Sequence, residues 1–326
     1  MIKNIIKTLL AFTLIGFLVH SSLLNLGLLT VLVNKPGSLL FIFSLMIIVL
    51  MLSSWRWFRL NSTQNFAISY RDTMLSTYIG LTFNNILPGG VSGDIVRVNY
   101  LFKRVPHKKI AGALSILTDR IIGLLGVIFT TCIIGLVYRD LFRHSEFLSL
   151  FLNLSSYIAI AVIVGYGLLF LMPDSLGMTE RLQKRFANSK IAELFMVIKI
   201  FKKSPAVLIE CVAVSVLIQI IIVYTLVLIS RVLDFVPINS LHYAIANMVT
   251  QFMNLVPISP GGVGVGEMAF AKVITLLDPT VAAAYATIYL AYRILNIVFC
   301  MLGIGIYFKN NIFNKMKLVE NGMFGK

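Results

Sequence analysis

Long runs of leucine, isoleucine, valine and phenylalanine, separated by short polar stretches, make up most of this chain. The runs Leu9 to Val19, Leu39 to Leu52 and Val212 to Ile229 are long enough to be a bilayer-crossing helix or most of one, which takes about 20 apolar residues. Six segments read as full spans, at about 8–33, 38–55, 110–138, 147–172, 205–230 and 280–308. Two more, about 66–102 and 241–277, are apolar but broken at their middles by Pro88-Gly89-Gly90 and Pro260-Gly261-Gly262. Proline removes a backbone donor and glycine loosens the chain, so one continuous helix through either break is unfavourable. Each broken segment is therefore expected to be a helical hairpin that enters the membrane and returns. The competing reading is a pair of short crossing helices in each place, giving eight or more conventional spans.

Composition strengthens the membrane assignment. The 326 residues are 58% hydrophobic and 13% charged, with a mean hydropathy of +0.91, against about 25% charged in a soluble protein. An all-α polytopic membrane protein is expected. The longest polar stretch, about Pro173 to Ser204, is shorter than the roughly 50 residues that a soluble domain needs. Lys3 and Lys7 precede an apolar run that continues to about Val33 without a small-residue cleavage site, so a retained first span is expected.

The net charge of +15 would point to nucleic acid in a soluble chain. Here the positive-inside rule accounts for it, and no nucleic-acid partner is expected. With the N-terminus inside and both broken segments returning to their own side, most lysines and arginines fall on the cytoplasmic side, Arg56 and Arg59 among them. Only Lys35, Arg139, Arg143 and Arg231 fall outside, while Arg97, Arg120, Lys272 and Arg293 lie within apolar segments. This places both termini in the cytoplasm and opens the two hairpins to opposite sides.

The repetition extends beyond the glycines. "ILTDRIIGL" (Ile116–Leu124) matches "YLAYRILNI" (Tyr289–Ile297), with Arg120 aligned on Arg293 and one inserted residue relative to the Pro-Gly-Gly motifs. A duplicated span–hairpin–span unit in opposite orientations is expected, at about 38–138 and 205–308 within a single integral membrane domain. Inverted repeats place their substrate site at the repeat interface near the midplane.

Charges inside these segments are the candidate chemistry. Arg120 lies about 16 Å along its helix from Lys109, and Arg293 about 24 Å from Lys309, so both are near the bilayer centre. Each costs roughly 2.5–3.5 kcal/mol to insert, so each needs a carboxylate, water or a polar ligand. One reading pairs them internally: Asp94 caps the second half-helix and meets Arg97 or Arg120, and Glu267 meets Arg293. The other reading uses the same groups on an anion. Glycine-rich tips expose backbone N–H groups at a helix start, and arginine grips phosphate bidentately. The candidate lipid-headgroup site comprises Asn84, Asn85, Gly89, Gly90, Asp94, Arg97, Asp119, Arg120, Asn254, Gly261, Gly262, Glu267 and Arg293.

Several chemistries are missing from the sequence. There is no G-x-x-x-x-G-K-[ST] phosphate loop, no nucleophile–base constellation and no metal-ligand spacing among the four histidines. Cys132, Cys211 and Cys300 sit far apart in apolar runs and read as packing residues. No catalytic activity and no cofactor are expected.

"NNILPGGVSGDIVR", "ILTDRIIGL" and "PISPGGVGVGE", in that order, resemble the flippase-like membrane region of lysylphosphatidylglycerol synthases and its free-standing relatives, and the likeness covers essentially the whole chain. The resemblance implies a polytopic inner-membrane protein that moves an anionic or phosphate-bearing lipid between leaflets. Its partners would be membrane lipids, with a separate lipid-synthesis enzyme as a further partner. In synthase members an aminoacyltransferase domain follows the membrane region. No such domain is expected after Lys326 here, so lysyl transfer is not carried over. The alternatives to lipid movement are a non-transporting partner of a lipid synthase and a small-solute carrier.

Overall fold

A computed structural model describes residues 27, 29–86, 92–104, 109–143, 145–171, 204–255, 259, 262–280 and 284–301, and every described element is helical. In chain order they are α1 (Leu29–Val33), α2 (Pro36–Thr63), α3 (Tyr70–Ile86), α4 (Ser92–Arg104), α5 (Lys109–Val137), α6 (Arg139–Phe142) and α7 (Glu146–Leu171). Then follow α8 (Pro205–Val232), α9 (Ser240–Leu255), α10 (Val265–Leu277) and α11 (Ala286–Met301). Among the described residues four helices are long and apolar enough to cross a membrane, namely α2, α5, α7 and α8. They coincide with four of the six expected spans. The expected span at 280–308 appears as the shorter apolar α11, and that at 8–33 lies almost wholly outside the described residues.

α2 and α8 start alike, with proline in the first turn, where its missing N–H would have had no partner in any case. They pack side by side and antiparallel. Lys35 at the start of α2 bonds Asp234 beyond the end of α8 at 3.0 Å, and Arg59 near the end of α2 bonds Glu210 near the start of α8 at 2.8 Å. Both ion pairs are partly exposed, so each adds little stability and mainly marks an end of the bundle. One end carries Lys35, the α6 turn, Asp234 and Asp278, and the Tyr285 hydroxyl ties it by donating to the Val236 carbonyl at 3.0 Å. The other end carries the Gln64–Ser69 connection and Ser204.

α2 is longer than expected. Instead of ending near residue 55 it continues to Thr63, so Arg56 is not a loop residue but a buried one inside the helix. Tryptophans on both sides supply enough apolar surface to carry the helix past a charge that is itself paired.

Each broken segment forms two helices, as expected. α3 packs on α4, and α9 on α10. The helix that enters each pair has 17 or 16 residues, about 25 Å, against 28 residues and about 42 Å for α2. α3 starts from the end where α2 finishes, and α9 from the opposite end, where α8 finishes.

The core joins these parts around α11. Tyr289 stacks on Phe270 of α10, Phe299 stacks on Phe43 of α2, and the Tyr78 hydroxyl of α3 donates to the Phe299 carbonyl at 2.5 Å. α7 is peripheral. It leaves Leu150, Tyr157, Ile160, Ile163 and Leu168 exposed, the outward apolar surface that a lipid-facing span presents.

Candidate functional site

α3 and α4 meet at glycines. A Cβ built on Gly93 would lie 1.8 Å from the Gly80 carbonyl oxygen, so only glycine allows this approach. The Asn84 side-chain oxygen closes the junction by accepting from the Gly93 N–H at 2.8 Å, near the free N–H groups of the first turn of α4. Gly93→Ala is therefore expected to force the pair apart and cost roughly 1–3 kcal/mol, as overpacking does. Thermal unfolding of the purified variant measures this, and an unshifted midpoint would contradict the close packing.

This approach delivers Asp94 and Arg97 into a buried ionic chain. Arg56 Nε donates to Asp119 Oδ1 at 2.8 Å, and Arg97 Nη2 to Asp119 Oδ2 at 2.9 Å. Arg97 Nη1 lies 3.6 Å from Asp94 Oδ1, and Arg120 Nε bonds Asp94 Oδ2. Arg97 also lies over the Trp57 ring at 4.1 Å, and the Trp57 indole N–H donates to Ser115 Oγ at 3.1 Å. Removing an ion from water costs several kcal/mol, and only close pairing with further hydrogen bonds repays that cost. Asp119 has both oxygens engaged. Among the described residues three guanidinium groups, those of Arg56, Arg97 and Arg120, meet the carboxylates of Asp94 and Asp119.

A second, neutral pair sits on the other hairpin. Arg293 Nε donates to Glu267 Oε1 at 2.6 Å, and its Nη2 to the Gly262 carbonyl at 3.0 Å. Glu267 is fully buried, and its Oε2 accepts from the Gly264 N–H at 2.7 Å, satisfying a donor at the start of α10. Gly262, at φ +73°, adopts a left-handed conformation, and a Cβ there would lie 2.1 Å from Asn254 Oδ1. Asn254 Nδ2 donates to the Tyr289 hydroxyl at 2.9 Å, whereas its Oδ1 is buried with no partner among the described residues.

Of the expected site residues, Asp94, Arg97, Asp119 and Arg120 come together in one network, and Asn84 adjoins it through Gly93. Gly262, Glu267 and Arg293 form the other, joined by Asn254. Asn85 belongs to neither: its Nδ2 donates to the Leu81 carbonyl at 2.9 Å and lies 3.5 Å from Cys300 Sγ. Gly89, Gly90 and Gly261 fall outside the described residues.

Three participants were not anticipated. The apolar run stops just before Arg56, which by sequence alone places it in a cytoplasmic loop. The sequence signal at Gln219 and Gln251 is that each is an uncharged amide within an apolar helix. Gln251 Nε2 donates to Gln219 Oε1 at 2.6 Å, joining α9 to α8. Together with Arg56, Thr77, Tyr292 and Asn296 they line a cavity of about 310 Å³ enclosed by α2, α3, α5, α8, α9 and α11. Arg56 reaches it while Nη1 donates to Ser215 at 2.8 Å, and its Nη2 bonds no described residue. Thr77 Oγ1 is buried and likewise lacks a described partner. Among the described residues no carboxylate lines the cavity. Its walls thus offer one cation with amide and hydroxyl groups, a set suited to an anion bearing polar substituents.

The model of the lysylphosphatidylglycerol synthase TM region matches residues 4–303 of this sequence. Among curated proteins and among solved structures, nothing matches.

Proposed function

The chain belongs to the lysylphosphatidylglycerol synthase transmembrane-region family, and from that premise we propose that it moves an anionic or phosphate-bearing lipid between the leaflets of the cytoplasmic membrane. Membership itself establishes a membrane protein of a lipid-related family. The observation that carries the finer reading is the cavity of about 310 Å³ among the spans, with Arg56 in its wall: Asp119 holds the Arg56 Nε from outside the lining, while Nη2 bonds no described residue.

In this reading the two ionic networks hold the hairpins and the cavity between them receives the headgroup. α2, the α3–α4 pair and α5 form one unit, and α8, the α9–α10 pair and α11 form its inverted counterpart. The hairpin helices, of 13 to 17 residues against 28 for α2, support re-entrant entry from opposite faces. The acyl chains stay in the bilayer while only the headgroup enters the polar interior, which lowers the cost of taking it through hydrocarbon. The role is one of lipid handling, without a catalytic step.

Reconstitution tests this directly. Vesicles containing the protein and a headgroup-labelled phosphatidylglycerol should expose inner-leaflet label to an impermeant quencher faster than protein-free vesicles. Equal rates would sink the proposal. The orientation within it has its own test. Single cysteines replacing Arg143 and Asp278, in a background without Cys132, Cys211 and Cys300, should react with an impermeant thiol reagent added to intact cells. Cysteines replacing Arg104 and Lys190 should not, and the reverse pattern would invert the topology.

A further inference from the structure

Between the start of α7 and the faces of α9 and α10 lies another cavity, of about 420 Å³, which shares no lining residue with the first. Phe147, Val249, Met253, Met268 and Leu276 make it apolar, and Lys272 is the only charged residue lining it among the described residues. Lys272 is exposed on α10 and makes no hydrogen bond or ion pair with any described residue. Its neighbours Ala271 and Val273 are buried, so the helix cannot turn to move it. An unpaired lysine on an apolar helix is costly unless its stem lies along apolar surface and its ammonium reaches the headgroup layer.

The dimensions fit that description. Following α10 from Leu276 to Val265, the groove runs about 16 Å at 1.5 Å per residue. That is close to half of the roughly 30 Å hydrocarbon core, the depth of one leaflet. Ser145 and Phe147 place its mouth at the end of the bundle that carries the α6 turn. Lys272 lies about 8 Å along the helix from Leu277, near enough for its four-carbon stem to reach that surface.

We propose that this groove seats one acyl chain of an anionic phospholipid from the leaflet beside the α6 turn, with the lipid phosphate held by Lys272. A leaflet-deep apolar wall and an unpaired ammonium near its mouth are the two halves of a phospholipid's chemistry, and among the described residues no carboxylate lines the groove to neutralise the ammonium. A zwitterionic lipid fills the groove equally well but gains less from the charge. The site does not depend on the transport reading, because it shares no residue with the headgroup cavity.

Site-specific photocrosslinking tests it. Benzoylphenylalanine is placed at Met268 and, in a second protein, at Phe147, where an aromatic ring already stands. Each protein is irradiated in vesicles of equal parts phosphatidylglycerol and phosphatidylcholine, and the adducts are identified by mass. The phosphatidylglycerol adduct should exceed the phosphatidylcholine adduct roughly fivefold, the ratio that corresponds to about 1 kcal/mol per lysine near an anionic surface. In a Lys272→Gln background the ratio should fall to about one with total lipid yield retained. Equal yields with Lys272 present, or a ratio unmoved by Lys272→Gln, would overturn the assignment. So would adducts to residues 1–26 or to a second copy of the chain, which would show that protein covers the groove, and so would no adduct at all.

Discussion

An Asp119→Ala protein loses roughly 3–5 kcal/mol of stability, because Arg56 and Arg97 are left buried without their shared carboxylate. That approaches the whole net stability of a typical domain, about 5–15 kcal/mol, so little folded protein should survive extraction. The effect exceeds that of removing Asp94, whose partner Arg120 is partly exposed, its side chain 41% accessible, and regains water when unpaired. Asp119→Asn should be milder, since the amide oxygen still accepts one of the two bonds. Yield after size-exclusion chromatography and the unfolding midpoint measure the series. If Asp119→Ala melts with the wild-type protein, the two guanidinium groups are solvated and the network is not a buried one.

The second large effect is expected on transport, with little on folding. Changing Gln219 and Gln251 together to leucine removes both partners of their hydrogen bond and leaves side chains of similar size, so the stability cost is confined to the long 3.4 Å bond that Asn247 Nδ2 donates to Gln219 Oε1. The same change takes two amides from the cavity wall. If each contributes about 1 kcal/mol to a headgroup in passage, lipid movement should fall roughly 30-fold while the unfolding midpoint stays within a few degrees. The single changes are less clean, because each leaves one amide buried alone. A double variant that moves lipid at the wild-type rate, with an unchanged midpoint, would mean that the headgroup does not pass this wall.

The two experiments separate roles that the ionic residues combine. Arg293 bonds Glu267 through Nε and Nη2 and the Gly262 carbonyl through Nη2, so replacing it disturbs the shape of the hairpin together with any ligand contact. A loss of transport in Arg293→Lys would therefore not by itself identify a headgroup ligand. The amide pair is better suited to that question.

Much of this architecture was legible along the chain. Segments that avoid water announce themselves by their length, and α2, α5, α7 and α8 fall where apolar runs require them. Proline followed by two glycines marks where a helix stops, because the missing donor and the loosened backbone are local properties. Charges within apolar runs must find partners, and this alone anticipated Asp94 against Arg120 and Glu267 against Arg293. The tertiary structure decided what local pattern cannot carry. Arg56 looks like the end of a span until Asp119 and Ser215, distant in sequence, are seen to meet its guanidinium. Gln219 and Gln251 are two isolated polar letters until α8 and α9 pack and align them on one cavity. The Gly80–Gly93 approach and the lysine beside the apolar groove have the same origin. Hydrophobic length acts on each segment separately, whereas a buried charge or amide is defined by whichever distant groups close packing brings within about 3 Å.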